Sequence, residues 1–234
     1  FNKNYLNLKT NFEYIDNFFI STHPDDVSKK SSRIRYHFLP TPVDKNIEKL
    51  NIYNRNDYTY DVFFAMSHGV NRGKIKTGKK DERENFIKEL ISLNKDIKFD
   101  IYGFKDRNPV WSESFYSAIS RSFMAVNLNR GKPKKYSSSN RIGSLIGNGL
   151  LTFIDYKKKF NHFFNDDEII FYNNKYDLSD KINYYKHNHR LAKKIAKKGQ
   201  DKYFKLFNEI EVAKYIINES LGNTNKPIWD RYLK

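Results

Sequence analysis

Two basic loops hold the residues best suited to gripping an anion. The first runs from His68 to Lys80 and includes Gly69, Arg72 and Gly73; the second runs from Asn129 to Arg141 and includes Arg130 and Gly131. Neither contains an acid, and each carries five Lys or Arg residues. Glycine lets a backbone approach a ligand closely, and the free N–H groups at a helix start favour negative charge. A guanidinium can bind phosphate through two parallel hydrogen bonds, which lysine cannot do. The chain has 32 lysines but only 11 arginines, so the placement of Arg72, Arg130 and Arg141 in these loops carries more information than the lysine count. The chemistry expected is a diphosphate shared between the loops. The competing reading is two solvated lysine-rich loops.

The elements needed to position such loops are legible. Asp61–Ser67 is a continuous apolar run, as for a strand buried on both faces. Asp81 is placed to cap a helix whose Phe86, Ile87, Leu90, Ile91 and Leu93 recur at helical spacing. Strands are expected at 97–103, 123–128, 150–154 and 169–172, with helices at 112–122 and near 140–148. Three more helices are expected at about 177–187, 189–206 and 208–221, the last stopped by Gly222. Strands alternating with helices imply βαβ units, a mainly parallel sheet and helices on both faces. Ahead of this, 14–21 and 34–39 read as two short strands, and the Asn-rich stretch 44–59 reads as a linker or domain boundary.

In an open parallel sheet the ligand sits beyond the carboxyl ends of the strands, where both loops fall. Neither the Gly-x-Gly-x-x-Gly fingerprint nor the Gly-x-x-x-x-Gly-Lys-Ser/Thr loop occurs, so dinucleotide and P-loop enzymes fit poorly.

A different pattern is present. The strand ending at Asn129, the turn Ser139-Asn140-Arg141, the run Gly147-Asn148-Gly149-Leu150-Leu151-Thr152, Phe171-Tyr172 with Asp177-Leu178, and Ile195-Ala196-Lys197-Lys198-Gly199 follow in order. This resembles the C-terminal domain of group 1 glycosyltransferases of the GT-B fold, in their spore-maturation-type branch, over about residues 58–221. The resemblance implies an α/β, Rossmann-like parallel sheet with helices on both faces. It further implies a nucleotide diphosphate-sugar as substrate, with no separate cofactor, and a glycan or lipid-linked acceptor, as in cell-surface polysaccharide synthesis. Residues 1–50 would be the tail of an acceptor-side domain and its linker, 51–222 the nucleotide-sugar-binding domain and 223–234 a C-terminal tail. The donor-binding set it implies is His68, Gly69, Arg72, Asn129, Arg130, Ser139, Asn140, Arg141, Ser144 and Gly149, with no metal and the catalytic base outside this piece. At Ser144 the family has a glutamate that binds donor hydroxyls, and at Gly143 a phenylalanine.

Two other classes compete. His23-Pro24-Asp25-Asp26 resembles the motif of zinc-dependent N-acetylsugar deacetylases, although Val27 stands where that family has glutamate and no His-x-x-His follows. The net charge of +16 suits a non-catalytic basic module for nucleic acid or anionic membrane, with Lys193, Lys194, Lys197 and Lys198 on one helix. No specific nucleic-acid partner is expected. The 38% hydrophobic content, with 36 Phe and Tyr, supplies a real core, and the absence of cysteine excludes disulfides and thiolate sites. With no apolar run long enough to span a bilayer, the expected location is cytoplasmic, with a peripheral position on the inner face of the membrane left open.

Overall fold

The computed structural model describes residues 14–28, 30–67, 81–104 and 107–233. Five strands form one wholly parallel sheet: β3 (Tyr60–Ala65), β4 (Phe99–Tyr102), β5 (Ser122–Asn127), β6 (Leu151–Asp155) and β7 (Ile170–Tyr172), in spatial order β4-β3-β5-β6-β7. The register sets Val62 beside Phe99 on one side and Met124 on the other, and Ala125 beside Thr152. Since side chains alternate along a strand, Val62 and Phe64 feed one core while Phe63 and Ala65 feed another. The first is covered by α1 (Glu82–Leu93), α4 (Lys175–His187) and the start of α5 (His189–Phe207); the second by α2 (Ser112–Ile119) and α3 (Asn140–Gly147). The α/β sheet with helices on both faces is as the sequence predicts.

Asp81 caps α1 by accepting from Arg83 N, and Gly222, with φ +74°, ends α6 (Glu209–Leu221). The helix expected at 112–122 stops at Ile119, because Ser122 already starts β5.

A third core joins the sheet to a smaller unit. β1 (Asn17–Ile20) and β2 (Arg35–Phe38) pair in parallel as a separate two-stranded sheet. Phe38 and Val43 pack with Phe163, Phe207, Tyr215 and Trp229. The stretch 44–59, which composition marks as a linker, lies against the main unit instead: Ile52 is fully buried and its N–H donates to Asn148 O at 2.9 Å. The terminal segment is likewise anchored, for Trp229 has no exposed surface and lies edge-on to both Phe207 and Tyr215. Among the described residues no helix is long and apolar enough to cross a membrane.

Candidate functional site

In this sheet β4 lies on one side of β3 and β5 on the other, so the strand order reverses between β3 and β5. That switch point opens a crevice at the carboxyl ends of the two strands. Arg141, the second residue of α3, lies across it. Its Nη1 donates to Ala65 O at 2.7 Å, its Nε to Asn127 Oδ1 at 2.9 Å, and its Nη2 to Leu128 O. The sequence leads one to expect a guanidinium free to fork a phosphate. In the structure three of its five N–H donors tie β3 to β5, so what it offers a ligand is chiefly positive charge. Burial, with Arg83 nearby, lowers its pKa to about 10, and it remains a cation at neutral pH.

A cleft of about 320 Å³ lies at this point, lined by Arg83, Trp111, Ser112, Tyr116, Asn140, Arg141 and Ser144 among others. These residues come from the N-terminal halves of α1, α2 and α3, so three helix N-termini border one cavity. Trp111 at the N-cap of α2 makes no side-chain cap, so among the described residues the first amides of this helix lack that partner. Ser112 enters α2 with φ +49°, a strained conformation for a non-glycine residue. Trp111 is 60% exposed at the rim. Arg83 is neutralised by Asp81, whose carboxylate accepts from Nε at 2.8 Å and Nη2 at 2.5 Å; those bonds hold the Asp81 pKa below the usual carboxylate range.

The expected site residues divide as follows. Asn140, Arg141 and Ser144 line the cleft. Ser139 caps α3, its hydroxyl accepting from Ile142 N at 3.4 Å, and Asn129 braces the same loop through Ser137 Oγ at 2.9 Å. Arg130 is exposed near Asp81, and Gly131 N–H donates to the Glu82 carboxylate, which moors the second basic loop to the start of α1. Gly149 does not join them. It lies where α3 turns into β6, at the opposite end of the sheet, where a Cβ would fall 2.6 Å from the Tyr53 ring. With φ +80° it serves the turn and this packing, not a ligand. His68, Gly69 and Arg72 lie outside the described residues, as does the whole of the first basic loop.

Arg83, Trp111 and Tyr116 were not anticipated. An arginine inside an amphipathic helix and two aromatics after a Pro-Val pair give no local signal, and only the topology brings them beside α3.

His23 is accounted for without a metal. It closes a short turn by accepting from Asp25 N at 3.2 Å and packs edge-on to Tyr136 at 5.3 Å. No group of three metal-ligating side chains converges among the described residues. The lysines of α5 are largely spoken for: Lys197 pairs with Asp201, Lys198 with Asp167 and Lys202 with Glu168.

Comparison with known proteins agrees with the fold. A search of curated protein sequences found no match to this chain. Among solved structures, sucrose-phosphate synthase from Thermosynechococcus elongatus superposes with a TM-score of 0.58 at 8% identity, covering 88% of this chain and 58% of that one. HepE from Anabaena, in complex with UDP and glucose, gives 0.56 at 10% identity, covering 87% and 62%. TarM gives 0.55 at 11% identity, covering 81% and 39%. The chain thus spans less than two thirds of the length of these structures, and at such identities they show a shared fold. The model of the family described as glycosyl transferase-like matches residues 80–218, from the start of α1 to α6 and through every α3 residue of the cleft, and on that match the chain belongs to the glycosyl transferase-like family.

Proposed function

We propose that this chain is the donor-binding half of a glycosyltransferase, moving a sugar from a nucleoside diphosphate-sugar to a glycan or lipid-linked acceptor without a metal ion. The observation that carries the reading is the convergence of three helix N-termini and the Arg141 charge on one cleft at the switch point. As the glycosidic bond breaks, charge develops on the leaving diphosphate. Oriented amides and a fixed cation in a partly dehydrated cleft stabilise that charge without reorganising. The UDP in the HepE complex supports a nucleotide of this kind. In this reading residues 1–50 close an acceptor-side domain, 51–222 hold the donor, and the enzyme works on the cytoplasmic side, at the inner face of the membrane where the acceptor is lipid-linked.

Calorimetric titration with UDP, GDP and ADP tests it. One of them should bind saturably, and both Arg141→Lys and Arg141→Ala should weaken that binding at least about tenfold, a loss of ~1.4 kcal/mol or more. Lysine keeps the charge but not the three-way tie, so Arg141→Lys should lose less than Arg141→Ala. Binding of none of the three, or binding indifferent to both substitutions, would refute the proposal.

A further inference from the structure

Glu48 is a buried carboxylate to which the donor cleft as described assigns no task. It is 8% exposed, and neutral groups hold it: Asp44 N donates to Oε2 at 2.9 Å and the Tyr116 hydroxyl to Oε1 at 3.3 Å. Burying a charge with only neutral donors is costly, and here burial raises the carboxyl pKa. The fold nevertheless makes room for it. On α3 a Cβ at Gly147 would lie 2.7 Å from Glu48 Cγ, and one at Gly143 would lie 3.4 Å from Val43 Cγ1. Two glycines one turn apart leave bare backbone against which residues 41–48 lie.

Tyr116 links this carboxylate to the cleft. It lines the cavity from α2, as Ser144 does from α3. With its proton committed to Glu48, the phenol oxygen has a lone pair to offer, and beside it the Ser144 hydroxyl can donate or accept. That is a pair suited to adjacent hydroxyls. Ser144 is about one helical turn along from Asn140 and Arg141, about 4.5–6 Å by helix rise, while the exposed Trp111 face stands at the rim for a flat group.

We infer that Tyr116 receives the ribose hydroxyls of the donor nucleotide together with Ser144, and that Glu48 is the positioning residue that fixes the Tyr116 phenol. This rests on reading the cleft as a donor site, and the test separates the two. The full chain and its Tyr116→Phe and Glu48→Gln variants are titrated with UDP, ADP and GDP and with the 2′,3′-dideoxy form of each.

For the nucleotide that binds, Tyr116→Phe should raise Kd about five- to tenfold and Glu48→Gln about threefold, the scale of one hydrogen bond. Both should change the Kd of the dideoxy form less than about twofold. A merely structural Glu48 would weaken both forms alike, and that result, or no effect on either form, overturns the inference while leaving the donor site standing. Should Glu48→Gln fail to fold, the Tyr116→Phe comparison decides alone. If the unsubstituted chain binds no nucleoside diphosphate, the donor-site reading falls and the inference with it.

Discussion

Replacing Lys158 by methionine should convert a pH-dependent stability into a nearly flat one. Lys158 follows β6 and is 1% exposed; its ammonium donates to Ser137 O at 3.0 Å and lies 5.9 Å from the Phe160 ring centre. Desolvation, reinforced by the Arg141 charge, lowers its pKa to about 7. An unfolded lysine titrates near ~10.4. Between these values the unfolded chain binds a proton that the folded chain does not, so stability rises with pH from the folded value towards the unfolded one. Integrated from pH 7 to pH 9, the gain is about 2 kcal/mol.

Methionine fills similar space without a charge. It gives up the bond to Ser137 O, at a cost of ~1–2 kcal/mol that does not vary with pH. The stability difference between the two proteins should therefore shift by about 2 kcal/mol in favour of the unsubstituted chain between pH 7 and pH 9. Urea unfolding read through the fluorescence of buried Trp229 measures it. A difference constant to within ~0.5 kcal/mol would show that the amine is not held in a dehydrated site, and the reasoning would fail.

Other substitutions test the packing. Gly199→Ala puts a Cβ 2.1 Å from the Glu168 carbonyl oxygen and should cost roughly 1–3 kcal/mol in chemical denaturation. Trp229→Ala empties a fully buried site and should cost about 3–5 kcal/mol, lowering the melting temperature accordingly. Asp81→Asn should cost roughly 1–3 kcal/mol at neutral pH. The Asp81 pKa is lowered chiefly by Arg83, so its stabilisation is complete above the unfolded value of ~4 and lost as pH falls through the lower folded value. Acid titration by circular dichroism should show that limb diminished in the variant.

The elements were legible because each has a local cause. Asp81 and Gly222 punctuate helices by their own chemistry, and β5 announces itself as six buried residues in a row. Helix α4 begins two residues before its predicted start, since Asn174 caps it through Tyr176 N and Asp177 N, a signal overlooked beside the more conspicuous Asp177. The site was legible only along α3, where cap, arginine and serine fall within six residues. Everything brought to α3 from elsewhere was hidden by separation in the chain. Glu48 meets Tyr116 across 68 positions and Leu50 meets Asn148 across 98, and no periodicity records such pairings. Gly149 misled for a related reason: a glycine reads alike whether a ligand or the Tyr53 ring occupies the space beside it.

The bare backbone at Gly143 and Gly147 has a mechanical consequence. The side chains of Thr41, Val43 and Glu48 rest directly on the α3 backbone, with no α3 side chain between to act as a cushion. A close-packed interior leaves no slack at such a seat, so a Cβ added at Gly147 would have to push α3 and residues 41–48 apart.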